Sequence, residues 1–398
     1  MKIIETKKFS DTCISVKTLF PLREEMVTLM NIWVLMMRKK TQGYSSQQIL
    51  TQELSKAYGM QASVRVSGYG NQVVVDFRFR NIRFDLVDDV NYEQKALSLI
   101  HEILFCPVFD EENLQEAKYI LKNRLYRQYD DPDAYVVSEA MNCIEEDHSI
   151  RISLQGKQED IETITLEDVQ AFFQEFVSLD KHTYIVGICP SSIRSYFETF
   201  ENEGFQKPNL QALVGNNYYH RESQRQITQS SIAQIYRTGV LIGQADFSTL
   251  MVTNSILGQS PSSLLFTNVR EKHSLCYSIS SSLLRFDGAL LITTGTQKEN
   301  IEPALELIEE QITKLRCQSF SDELLQIAKK DILDGFMAIE DNPLLMIEQA
   351  FLDDYLHREY SIEKRKADIM RVNKQGVANM AMELELVSQA ILEGCANE

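Results

Sequence analysis

An arginine and a tyrosine seven residues apart, Arg270 and Tyr277, lie in the stretch Val269-Arg270-Glu271-Lys272-His273-Ser274-Leu275-Cys276-Tyr277. A guanidinium is a permanent cation with planar donors and a phenol is a neutral hydroxyl donor, so the pair is suited to half of an active site. The preceding residues, Ser262 to Asn268, place apolar positions on one face and predict a helix, while Ser278 to Leu284 alternate like a strand. A helix-to-strand junction aims both side chains the same way. An ordinary structural reading stands beside this one, because an arginine near a helix C-terminus suits the macrodipole and a tyrosine opening a strand packs a sheet.

Other chemistry is sparse. The six histidines, His101, His148, His182, His220, His273 and His357, include no two within a helical turn of each other. His101 and Glu102 are adjacent and face apart on a helix, and the acidic run Glu145-Glu146-Asp147 before His148 predicts a solvated helix end. There is no phosphate-binding glycine loop and no nucleophile elbow, and Ser67-Gly68-Tyr69-Gly70-Asn71 reads as a hairpin turn. Seven scattered cysteines form no C-x-x-C pair, which suits a reducing cytoplasm and small buried side chains. A net charge of −17 argues against a nucleic-acid partner. No apolar run approaches the roughly 20 residues that span a bilayer, and the start of the chain lacks the apolar segment of an export signal, so neither membrane insertion nor export is expected.

The elements that position these residues come in duplicate. At 398 residues the chain exceeds what one core usually supports. Phe109 to Lys118 aligns with Phe320 to Lys329, and Asp130-Asp131-Pro132 with Asp341-Asn342-Pro343, both at an offset of 211 residues. Further on, Asp160-Ile161 and Val169 match Asp368-Ile369 and Val377 at an offset of 208. Two homologous α+β halves are expected, residues 1–203 and 231–398, joined by a linker over 204–230. In the first half the periodicity predicts helices over Glu24–Met37, Ser46–Tyr58, Tyr92–Leu104, Glu111–Tyr129 and Ala134–Glu146, and strands over Ala62–Ser67, Gln72–Phe79 and His182–Ile188. Thr165 and Asp168 form a capping-box signal for a helix over Val169–Phe176.

With these residues in view, the chain resembles the short M16B type of the M16 (pitrilysin and mitochondrial-processing-peptidase-like) zinc peptidases. Val269 to Tyr277 is similar to that family's V-R-E-K-x-G-L-x-Y pattern, with Ser274 in place of the glycine. Ile256-Leu257-Gly258 and Ser262-Ser263-Leu264 resemble its L-G-G-x-x-S-S-R-L, with Gln259 replacing the second glycine and Leu264 the arginine. The resemblance implies two M16/LuxS-like metallohydrolase-type domains forming one half of a clamshell, with Arg270 and Tyr277 holding the substrate backbone near the scissile carbonyl.

It also exposes a loss. The family's H-x-x-E-H, whose histidines bind zinc and whose glutamate activates water, falls on Asn31-Ile32-Trp33-Val34-Leu35. Asn31, Val34 and Leu35 cannot perform those tasks, so no catalytic or metal-binding residue is expected in this chain. Glu116 sits about where the family places a distal glutamate ligand, and it reads as a solvated helix position. Some short M16B proteins act as pairs of unlike chains, one bringing H-x-x-E-H and the other the Arg/Tyr pair. The implied role is thus a non-catalytic subunit acting on peptides with a zinc-bearing M16 partner of similar length. Among paired bacterial chains, Ile3 to Phe9 and Tyr44 to Leu50 most resemble those associated with elongation factor P modification. An inert scaffold of this fold and a homodimeric peptide-binding protein are the alternatives.

Overall fold

The computed structural model describes residues 1–144, 148–200, 204–214, 217–358 and 361–395. The expected run Glu145-Glu146-Asp147 and part of the expected linker, residues 215–216, lie outside them.

In chain order the first elements are β1 (Lys2–Glu5), β2 (Asp11–Pro21), α1 (Glu24–Met36), α2 (Gln47–Lys56), β3 (Gln61–Tyr69), β4 (Gln72–Ile82), α3 (Tyr92–Phe105), α4 (Glu111–Asp130), α5 (Pro132–Asn142), α6 (Leu166–Ser178), β5 (His182–Gly187) and α7 (Ser191–Glu198). Then follow β6 (Tyr219–Arg225), β7 (Ser230–Arg237), α8 (Phe247–Asn254), β8 (Cys276–Leu284), β9 (Ala289–Thr296), α9 (Ile301–Arg316), α10 (Asp322–Ile339), α11 (Pro343–Tyr355), α12 (Ile362–Arg371), α13 (Lys374–Met382) and β10 (Glu385–Gly394). Two π-helical turns, Ser255–Gln259 and Phe266–Lys272, lie between α8 and β8.

The chain forms two compact α+β units, each drawn from three segments. The first comprises Met1–Tyr126, Ser153–Pro208 and Ile339–His357, and the second Arg127–Ile152, Asn209–Ala338 and Arg358–Glu398. Each holds a five-stranded mixed sheet, ordered β1-β5-β2-β4-β3 in the first and β6-β10-β7-β9-β8 in the second. The two orders are the same order shifted by five strands, and in both the first pair is parallel and the rest antiparallel.

The duplicated cap explains the duplicated helices. Asp131 and Asn342 each accept backbone N–H donors from the first turn of the helix that follows, and each helix opens on proline, whose missing N–H needs no partner there. One sheet face of each unit is covered by a helix from the other sequence half. In the first unit α11 packs on β5 and β2, and in the second α5 packs on β7 and β10.

The first core gathers around Trp33 of α1, whose ring meets Phe20, Phe77, Phe172 and Phe176 at centroid distances of 5.1–6.5 Å. The expected capping box is present, with Thr165 accepting from the Asp168 N–H and Asp168 from the Thr165 N–H. The β3–β4 hairpin turns at Gly70-Asn71, where Gly70 has φ +66°.

Three local expectations need correction. Part of the stretch read as linker is β6, paired in parallel with β10. It escaped notice because Tyr219-His220-Arg221-Glu222-Ser223-Gln224-Arg225 is polar throughout, as an edge strand with little burial can be. The helix expected over Ser262–Asn268 begins at Leu264 and continues as the π-helical turn to Lys272. The cysteines are not uniformly buried, since Cys317 is exposed and Cys106, Cys143 and Cys395 are half-buried.

Candidate functional site

Arg270 and Tyr277 flank a reversal in the second unit. The π-helical turn ends as the Ser274 N–H donates to the Arg270 carbonyl at 3.1 Å and the Leu275 N–H to the Val269 carbonyl at 3.1 Å. Ser274 takes φ +52°, the left-handed conformation that costs a residue with a Cβ about 1–2 kcal/mol. The chain thereby turns into β8, the edge strand of its sheet.

Tyr277 is the extra residue of a β-bulge, because Cys276 pairs with Thr296 and Ser278 with Gly295, leaving Tyr277 without an opposite number. A bulge breaks the alternation of faces, so Tyr277 and Ser278 are both exposed in succession. Two neighbours hold this geometry. The Thr296 hydroxyl donates to the Leu275 carbonyl, and the Gln297 side-chain amide donates to the Tyr277 hydroxyl at 2.8 Å. The phenol is 62% exposed, and its own proton remains available to a ligand. The Arg270 guanidinium lies over the Phe266 ring at 4.6 Å, one turn back, which steers its stem. No hydrogen bond joins Arg270 to Tyr277 among the described residues. Nearby, burial raises the Cys276 thiol pKa, opposed by a hydrogen bond with Thr294 and by the Arg270 charge.

Polar side chains brace the segment. Asn268 donates to Gln311 of α9 at 2.9 Å, and Gln311 is fully buried. Ser281 donates to Asn254 at 2.7 Å, which in turn donates to Gln259 at 2.9 Å. A Cβ on Gly258 would lie 2.6 Å from the Ser281 hydroxyl, so the close approach of the first π-helical turn to β8 needs a glycine. Gln297, Asn254, Ser281 and Gln311 were not expected from the sequence, where isolated amides and hydroxyls carry no spacing signal.

In the first unit, Asn31, Val34 and Leu35 sit on α1. The Asn31 amide is buried and donates to the Val27 carbonyl and to the Leu154 carbonyl, each at 2.9 Å. Thr28, one turn earlier, accepts from the Lys157 N–H at 2.9 Å and donates to Asp160 at 3.0 Å. Gly156 passes so close that a Cβ there would meet the Thr28 Cα at 2.8 Å. Val34 and Leu35 are half-buried apolar groups that line a cavity. Glu116 of α4 is half exposed and paired with Lys39.

The comparisons with known proteins fit this build. Residues 163–332 match the family described as Peptidase M16 inactive domain. A probable inactive metalloprotease of Bacillus subtilis, YmfF, is 26% identical over 98% of this chain and 95% of its own length. Over residues 163–332 the chain is thus similar to the M16 peptidases, and the likeness to an inactive metalloprotease extends over nearly its whole length. Two solved structures share its fold. A conserved protein from Enterococcus faecalis V583 is 23% identical, with a TM-score of 0.90 covering 100% of this chain and 96% of that one. A peptidase M16 inactive domain from Pseudomonas fluorescens is 17% identical, with a TM-score of 0.81 covering 100% and 96%.

The likeness is to inactive metallopeptidases, and the chemistry of α1 accords with it. Asn31, Val34 and Leu35 offer one amide and two aliphatic groups, which supply neither zinc ligands nor a base, so these residues do not fit the metal. The Asn31 donor is spent on Val27 and Leu154, and Glu116 is engaged by an ammonium. Among the described residues no three His, Cys, Asp or Glu side chains gather as a metal site, and no helix is long and apolar enough to cross a membrane. His101 lies on an exposed helix position, where Nδ1 meets the Tyr196 hydroxyl at 3.0 Å. His148 caps a short turn by accepting from the Ile150 N–H at 3.2 Å.

Proposed function

We propose that this chain is the zinc-less subunit of a two-chain cytoplasmic M16 peptidase, supplying Arg270 and Tyr277 in trans to a partner of similar length that carries H-x-x-E-H. The bulge at Tyr277 supports the proposal. It turns the hydroxyl outward on an edge strand, while Gln297 occupies the oxygen as donor and leaves the O–H proton to be given away. Arg270 stands exposed on the same reversal. Seven free cysteines accord with a reducing compartment.

The partner's metal would activate water and polarise the scissile carbonyl. This chain's groups would contact the peptide backbone and the oxyanion that develops as water adds, where each lost donor typically costs about 10²- to 10³-fold in rate. A guanidinium keeps its charge at every working pH, and a phenol donates without adding charge, so the two stabilise the oxyanion without competing for protons.

Co-purification from native cells with zinc analysis tests the assembly, and turnover of a quenched peptide tests the roles. Near-stoichiometric recovery with an H-x-x-E-H chain is expected, with Arg270→Ala and Tyr277→Phe lowering turnover without separating the subunits. Unchanged turnover by both variants removes the roles in trans. Recovery of this chain alone as a zinc-free homo-oligomer replaces the proposal with an inert scaffold or a peptide-binding protein.

A further inference from the structure

A cavity of about 510 Å³ opens beside the C-terminal end of α1 in the first unit. Asn31, Val34, Leu35 and Arg38 line it, at the spacing of a single helix face carried on through the turn after α1. From α4 come Ile120 and Arg124, one turn apart and therefore on one face. Val64 and Val66 of β3 share a pleat face and add apolar surface, while Arg65 alternates to the other face.

The charge of this cavity is opposite to that of the chain. The chain has 57 Asp and Glu against 40 Lys and Arg, yet no lining residue is acidic. Lys39 also lines the cavity and is neutralised by Glu116 of α4. Arg38 and Arg124 make no ion pair among the described residues, so two positive charges on the helix faces go uncompensated. Arg38 is half-buried, and burial lowers its pKa with no carboxylate acting in opposition. A half-buried guanidinium without a counter-ion gains most from acquiring one.

Two features choose the ligand. A phosphate monoester carries close to two negative charges at neutral pH, and its terminal oxygens accept the paired N–H donors of a guanidinium, so one head group answers both arginines. A single carboxylate would leave one of them without a counter-charge. Val34, Leu35, Ile120 and Leu154 form an apolar wall that suits a carbon skeleton, which inorganic phosphate lacks, and the volume is that of a small-molecule site. We infer that this cavity binds a small organic phosphate, a phosphomonoester whose head group is taken by Arg38 and Arg124 and whose aliphatic stem lies on Val34, Leu35 and Ile120. The site lies within this chain, involves neither Arg270 nor Tyr277, and requires no partner subunit.

Isothermal titration calorimetry on the purified full chain tests it at about pH 8, where the ester is a dianion, with n-hexyl phosphate, inorganic phosphate and n-hexanol as probes. Hexyl phosphate is expected to bind at least about ten-fold more tightly than inorganic phosphate, and hexanol not to bind. Arg38→Gln and Arg124→Gln should each weaken hexyl phosphate about ten-fold or more, while the exposed Arg371→Gln leaves it unchanged. Ile120→Ser should weaken hexyl phosphate and leave inorganic phosphate as it was. Circular dichroism checks each variant, and Arg38→Lys keeps the charge should Arg38→Gln misfold. Equal affinity for hexyl and inorganic phosphate overturns the inference by making the cavity a simple anion site, and equal affinity for hexyl phosphate and hexanol overturns it by making the cavity merely apolar. Undiminished binding of hexyl phosphate to the Arg38→Gln/Arg124→Gln double variant overturns it as well.

Discussion

The Asn31 side-chain amide donates to the Leu154 carbonyl at 2.9 Å, tying α1 to the loop that carries Gln155 and Gly156. Asn31 therefore serves packing. Asn31→Ala leaves the Leu154 carbonyl without this donor, at a cost of about 1–3 kcal/mol. Asn31→Asp should cost more, because a carboxylate would face two carbonyl acceptors. Urea denaturation gives the ranking, and a neutral Asn31→Ala would show that the amide is dispensable.

Lys17, almost wholly buried, bonds Asp76 at 2.7 Å and Glu348 at 3.3 Å beneath α11. Burial alone would raise the Asp76 pKa, but the Lys17 and Arg78 charges, with hydrogen bonds from Lys17 and Ser15, hold it below the ordinary carboxylate value. A depressed carboxylate stabilises the fold above its unfolded pKa of about 4, and that stability is lost as pH falls further. Asp76→Asn should lower stability at neutral pH by about 3–5 kcal/mol and flatten the acid limb below about pH 4. An acid limb of wild-type steepness would assign it to other carboxylates.

His182, buried in β5 and stacked on Phe205 at 3.8 Å, is pushed down by burial to a pKa of about 4 from 6.5. Below about pH 6.5 the unfolded chain takes up a proton that the folded chain refuses. Stability from this group is thus complete above pH 6.5 and declines toward pH 4, by an amount on the order of 3 kcal/mol. Melting temperature against pH should slope less between pH 6.5 and 4 in His182→Gln than in the wild type. Parallel curves would mean that His182 titrates alike in both states.

Ser274 holds φ +52° at the reversal between Arg270 and Tyr277. Ser274→Gly removes the Cβ that opposes this conformation and should raise stability by about 1 kcal/mol, whereas Ser274→Val should lower it by about 1–2 kcal/mol. Chemical denaturation midpoints give both signs, and a less stable glycine variant would contradict the strain.

Much of this architecture was legible in the residues because it rests on local chemistry. The Asp131 and Asn342 caps, the Thr165 capping box and the 211-residue repeat all have one-dimensional signatures. The repeat extends to single atoms. Lys118 donates to the Glu162 carbonyl at 3.3 Å, and Lys329, 211 residues on, donates to the Met370 carbonyl at 2.9 Å. What escaped has no such signature. A seven-residue π-helical turn is too short to show its period, β6 has no apolar face, and Arg38 of the turn after α1, Arg65 of β3 and Arg124 of α4 are brought to one cavity only by the fold.

The covering of the first unit's sheet by α11 has a consequence in time. A ribosome adds about 5–20 residues per second, so roughly ten seconds or more separate the last strand of that sheet from the helix that shields it. Until Tyr355 has been made, Phe351 and its neighbours are missing, and the face bearing Lys17 and Asp76 stands open to water. The nascent chain must wait, half dressed, for its own C-terminal third.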